Sequence, residues 1–212
     1  MSAAALRAAA ERHRDAPAWL WAFLRGVLDD DEQLRELAAD SASHPTGFVK
    51  IVVLPRASPR LRLHVWHPSR RASLAGDKVH EHRWAFASWI ITGQLRETTY
   101  SIESSGRSFD VYRYAGESKV PRVKLGTCML APGITEDRMC GDIYTRERHE
   151  LHVAEPVGEG LVVSLVLQGP AAEWTPIYRP AGSRDLGENK PVTPRELCVL
   201  LTDVINILEP VA

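Results

Sequence analysis

A succession of short runs rich in β-branched and aromatic residues, each closed by turn formers, constrains this 212-residue chain more than any other feature. The runs are FVKIVVL at 48–54, LRLHVW at 61–66, WAFASWII at 84–91, LRETTYSI at 95–102, FDVYRYA at 109–115 and VVSLVLQ at 162–168. A series of this kind predicts a barrel or sandwich. Before it, residues 3–39 are rich in Ala, Leu, Arg and Glu, with Trp19, Leu20, Phe23, Leu24 and Leu28 at helical spacing, which predicts two or three short helices. The segment SASHPTG at 41–47 is the connector between the two regimes. After the strands, TPRELCVLLTDVINILE places Thr193 as an N-cap, Pro194 at the first helical position and apolar residues three to four apart. It predicts a helix packed on the outside of the barrel. The expected class is mainly β, a single domain with a helical segment at 1–45, a β-barrel at 46–180 and a C-terminal helix at 190–212.

The balance of the chain narrows the function. A formal net charge of -1 offers no basic footprint for nucleic acid. No apolar run approaches the roughly 20 residues of a spanning helix, and MSAAALRAAAERHRD lacks the apolar core and cleavage site of a secretory signal, so the expectation is a cytoplasmic protein away from the membrane. Cys128, Cys140 and Cys198 are odd in number and have no CxxC spacing, and they read as reduced thiols. The basic pair Arg70 and Arg71 reads as a solvated loop.

The chemistry concentrates in two segments. In AGDKVHEHRWAFASWIITGQLRETTY, His80 and His82 are two apart, and on a strand both imidazoles point to one side as a chelating pair. Such a pair needs a third ligand. CGDIYTRERHELHVAEP supplies two candidates, His149 and His152, ahead of a β-rich run that can return them across the barrel.

Both segments resemble the motifs of the cupin superfamily. The first is similar to the cupin HxH motif with its turn glycine, here Gly93, and the second to the motif in which a Gly precedes the ligand histidine by eleven residues, here Gly141 and His152. Within the cupins, HEHRWAFASWIITGQLRETTY, ELHVAEP and VVSLVLQGP most resemble cysteine dioxygenase and its thiol dioxygenase relatives, over positions 46–180. The resemblance implies a jelly-roll-like barrel holding a metal on His80, His82 and His152, with His149 where most cupins have a turn glycine. It also implies a site without a carboxylate ligand, because the usual fourth-ligand position falls at Phe86 or Ala87. In thiol dioxygenases an outer Ser, His and Tyr alternate on a later strand, and the matching positions here are Ser164, Val166 and Gln168. The cross-linking cysteine of some members corresponds to Ala87, and the substrate-gripping arginine has only Lys50 as a substitute. Cysteine is therefore not the expected substrate.

The remaining polar residues divide between chemistry and structure. Tyr144 and Gln168 are candidates for hydrogen bonding to substrate or oxygen, and His149, Glu147 and Glu150 for orienting a ligand imidazole. By alternation Arg83 faces away from the metal and reads as a structural or rim residue. Trp84 and Trp89 read as core or wall, and spacing makes neither His64 nor His67 a ligand. The resulting expectation is a non-haem Fe(II) oxygenase that binds a small molecule and dioxygen on three histidines. Imidazole also suits Zn and Ni, and Mn is a further alternative, so a non-redox isomerase, lyase or cyclase and a non-catalytic metabolite-binding cupin are the competing readings.

Overall fold

A computed structural model of the chain describes residues 1–12, 16–54, 59–70, 79–115, 123–182 and 189–208. Three helices come first, α1 (Ala3–Arg12), α2 (Ala16–Leu28) and α3 (Asp31–Ala39). Asp30 caps α3, its carboxylate accepting from the backbone N–H groups of Glu32 and Gln33. Strands follow as β1 (Ala42–Ser43), β2 (Val49–Leu54), β3 (Arg60–Trp66), β4 (Phe86–Thr92), β5 (Gln94–Glu103), β6 (Arg107–Tyr114) and β7 (Lys124–Met139). Beyond them lie β8 (Ile143–Arg146), β9 (Leu151–Pro156), β10 (Val162–Gln168), β11 (Thr175–Pro180), β12 (Lys190–Pro191) and the helix α4 (Pro194–Leu208). Thr193 and Glu196 form a reciprocal capping box at the start of α4, with Pro194 at its first position as expected.

The strands form two antiparallel sheets, in the orders β12-β1-β2-β3-β10-β4-β8 and β11-β6-β7-β5-β9. From β8 onward the chain crosses from one sheet to the other at every strand, and each late strand lies beside an early one. β8 pairs with β4, β9 with β5, β11 with β6, and β10 lies between β3 and β4. A long hairpin rolled up in this way is a jelly-roll-like barrel.

Alternation along the strands decides what faces inward. On β10, Val163 and Leu165 join Val49, Ile51, Leu63 and Val65 in a core that α2, α3 and α4 cover from outside with Leu20, Leu24, Leu37, Leu197 and Leu201. Val162 and Val166 turn the other way and pack with Trp66, Phe86, Ile90, Leu95 and Tyr144 inside the barrel. α1 seals a third patch, its Leu6 and Ala10 against Ala85, Ala87 and Leu167. The expected placement of the C-terminal helix outside the barrel is therefore observed.

The 16-residue β7 lies outside every run read from the sequence. Gly126, Pro132 and Gly133 interrupt its pattern, and most of its residues are exposed, so apolar alternation does not mark it. Among the described residues no helix is long and apolar enough to cross a membrane. The three cysteines are free. Arg70 lies within an ion-pair distance of 3.3 Å from Glu196, whereas Arg71 lies outside the described residues.

Candidate metal centre

His80 and His82 converge as expected, though by a different route from the one alternation on a strand predicts. They precede β4 in a segment without strand assignment, in which only His80 makes a β-bridge. That bridge is consequential. The His80 N–H donates to the His152 carbonyl at 3.1 Å, and the His152 N–H donates back at 2.9 Å, so the first motif is hydrogen-bonded directly to the third histidine. His80 also bridges to Ile177 on β11. Because β9 and β11 are the two edges of the five-stranded sheet, this one residue clasps both edges together.

The three imidazoles meet inside that clasp. One nitrogen from each of His80, His82 and His152 lies within 4.8 Å of the others, which makes the trio a group able to hold a metal ion. His152 is buried, and Nε2 of His82 stands 3.1 Å from its Nε2. Glu97, a fully buried carboxylate on β5, accepts the Nδ1–H of His152 at 2.7 Å. This bond fixes the tautomer and leaves Nε2 of His152 as a bare lone pair. Facing nitrogens at that separation need a cation or a shared proton between them, and 3.1 Å suits two ligands of one ion bound at about 2.1 Å each. Burial, then the neighbouring His80 and His152, hold the His82 imidazole well below its ordinary titration range, so it stays in the neutral form that metals require.

Glu97 is held as an anion. Burial pushes its carboxyl up, but the hydrogen bond from His152 and the Arg146 guanidinium outweigh burial and lower it. Arg146 grips both oxygens at 2.9 and 2.8 Å, and Arg138 approaches at 3.3 Å. Sequence reading missed Glu97. Its signal is a carboxylate on the inward phase of β5, two residues after the core residue Leu95.

The wall beside the histidines is polar. Since Leu61, Leu63 and Val65 turn toward the helices, Arg62 and His64 on β3 turn inward, and Lys50 on β2 stands opposite His64. The Arg62 guanidinium lies 5.0 Å from the centre of the Trp84 ring, which is itself 5.3 Å from the His82 ring. Burial and the nearby Arg60 lower Arg62 to about 10, and burial and Arg62 lower Lys50. Among the described residues no carboxylate pairs with either cation, and Arg62 Nε, His64 Nε2, Trp66 Nε1 and Gln168 Oε1 are buried without hydrogen-bond partners.

The other residues singled out from the sequence fall into place individually. Tyr144, on β8, is buried against Phe86, and burial followed by Glu97 raises its phenol well above its ordinary value. Gln168 and Ser164 are buried on the inward phase of β10, alternating with Leu165 and Leu167. His149 is not on the strand with His152. It occupies a turn with φ of 75°, the left-handed conformation for which glycine is suited, and donates from Nδ1 to Glu81 at 2.8 Å. Glu147 and Glu150 reach no ligand imidazole: Glu147 accepts from the Ala3 N–H, and Glu150 from the Glu147 N–H. Arg83 donates to the carbonyls of Ala172 and Glu173, a structural role. Trp89 packs toward the helices, and His67 bonds Asp203 on α4.

Two rolled antiparallel sheets with an HxH pair and a third histidine inside define a cupin-type, jelly-roll-like barrel with a candidate three-histidine metal centre. No family model matches the chain, and no curated protein matches it. Among solved structures it is similar to Drosophila melanogaster CENP-C bound to CAL1, with 10% identity, a TM-score of 0.37, and coverage of 69% of this chain and 96% of that one. It is also similar to an uncharacterized conserved protein with a double-stranded beta-helix domain from Klebsiella pneumoniae, with 18% identity, a TM-score of 0.34 and coverage of 62% and 85%. KdgF from Halomonas sp. shows 15% identity, a TM-score of 0.31 and coverage of 60% and 86%. The order of the strands in the two sheets defines the fold class.

Proposed function

We propose that the protein is a non-haem Fe(II) oxygenase acting on a small anionic molecule, with His80, His82 and His152 as the metal ligands. The observation that supports it is the convergence of three imidazole nitrogens in a group that, among the described residues, contains no carboxylate ligand. A neutral donor set leaves the charge of a divalent ion uncompensated and adjacent coordination positions open to substrate and dioxygen. Bound iron supplies the electron-transfer capacity that dioxygen chemistry requires.

This chain's own residues supply the rest. Lys50 and Arg62, cations without a carboxylate partner among the described residues, face the interior where an anionic group of the substrate is held. Gln168 offers an unpartnered acceptor on the same wall. Tyr144 stays protonated and available as a donor. Phe86 and Trp84 pack against His82 and limit water around it. Glu97 keeps His152 in the tautomer that presents Nε2.

Oxygen uptake by the iron-loaded protein, measured across small thiol and non-thiol carboxylates, tests this reading. Uptake is expected to depend on one class of carboxylate and to be slow with cysteine. Uptake unchanged by every compound contradicts the oxygenase reading and favours non-redox metal chemistry.

A further inference from the structure

Between His80 and His82 in the chain sits a second buried carboxylate, Glu81. The hydrogen-bond partners of Glu81 are His149, Thr175 and Tyr178, none of them among the three converging histidines. Its Oε1 accepts from His149 Nδ1 at 2.8 Å and from Thr175 Oγ1 at 2.5 Å, while the Tyr178 hydroxyl approaches Oε2 at 3.5 Å. One side chain thereby ties the segment bearing His80 and His82 to the turn that launches His152 and to the strand β11 that His80 bridges. His149 pays for this with a left-handed backbone that a non-glycine residue adopts at a cost of about 1 kcal/mol. Its side chain is 53% exposed, so burial does not explain why it stays there. The bond to a buried carboxylate does.

We infer that Glu81 is a positioning residue that pre-assembles the metal centre, acting through His149 on the backbone of the ligand segments without touching a ligand imidazole. The arrangement differs from that of Glu97, which orients one ring directly. Glu81 sets the spacing between the two ligand segments, and a loosened spacing costs metal affinity and alters the ligand field. This inference rests on the metal reading above.

The test uses Co(II) as the probe, with its affinity and its visible absorption bands measured on the full chain. Glu81→Gln is expected to weaken Co(II) binding by about tenfold or more and to shift the bands. His149→Gly removes the same bond while relieving the backbone strain, so it is expected to weaken Co(II) binding with little loss of metal-free melting temperature. The double variant is expected to be no weaker than Glu81→Gln alone, because both changes delete one shared interaction. If Glu81→Gln does not fold, His149→Gly carries the test by itself. Wild-type affinity and bands in these variants, or additive losses in the double variant, overturn the inference. A wild-type protein that takes up no Co(II) overturns the metal reading instead.

Discussion

Glu97 and His64 show how differently buried ionisable residues are treated inside one barrel. Glu97 is fully buried yet ionised, because one imidazole N–H and two guanidinium groups surround it. His64 has the reverse setting: burial, followed by Arg62 and His44, holds its imidazole well below the ordinary value of 6.5. Its ring stacks on Phe48 at 4.3 Å between centroids. In the folded chain His64 therefore stays neutral where the unfolded chain takes up a proton. Its contribution is fully present above pH 6.5 and is lost as the pH falls below that value toward the folded pKa, with a slope of up to one proton. Denaturant melts at about pH 7.5 and about pH 5.5 are expected to show the wild type losing roughly 1 kcal/mol more than His64→Phe over this interval. Equal losses would mean that His64 titrates normally.

Turns and edges, more than strand interiors, place the ligands. Gly93 joins β4 to β5 with φ of 77°, and a Cβ there would lie 2.7 Å from Val162 Cγ2 and 2.8 Å from the Leu161 carbonyl oxygen. Gly141, with φ of 92° before β8, has open space around it. Gly93→Ala is expected to cost about 1–3 kcal/mol, from strain and overlap together, and Gly141→Ala about 1 kcal/mol from strain alone. Chemical denaturation of the two variants side by side decides this, and equal costs would show that Val162 yields freely. β2, β3 and β10 were legible in the sequence as strands, since each carries aliphatic residues at buried positions. β11, with Pro176 and Pro180, and the glycine-interrupted β7 were not, because their residues fit no period. Alternation also leaves undecided which polar phase meets solvent. On β3 the apolar phase meets the helices, so Arg62 and His64 point into the barrel.

At the scale of the whole molecule, the candidate centre is where the fold closes. His80 links the two free edges of the five-stranded sheet, and its partner in that clasp is His152. The HxH pair was legible from two residues of spacing. The choice of His152 over His149 needed the resemblance to a known motif, and the buried carboxylates Glu81 and Glu97 needed pairings between segments about 55 and 68 positions apart, which local patterns do not encode. Metal content per chain, measured after loading with a divalent metal and desalting, tests the central claim most directly. The account predicts about one ion in the wild type and in His64→Phe, and loss of most of it in His80→Ala, His82→Ala and His152→Ala. A His80→Ala, His82→Ala double variant that retains the full complement would contradict it.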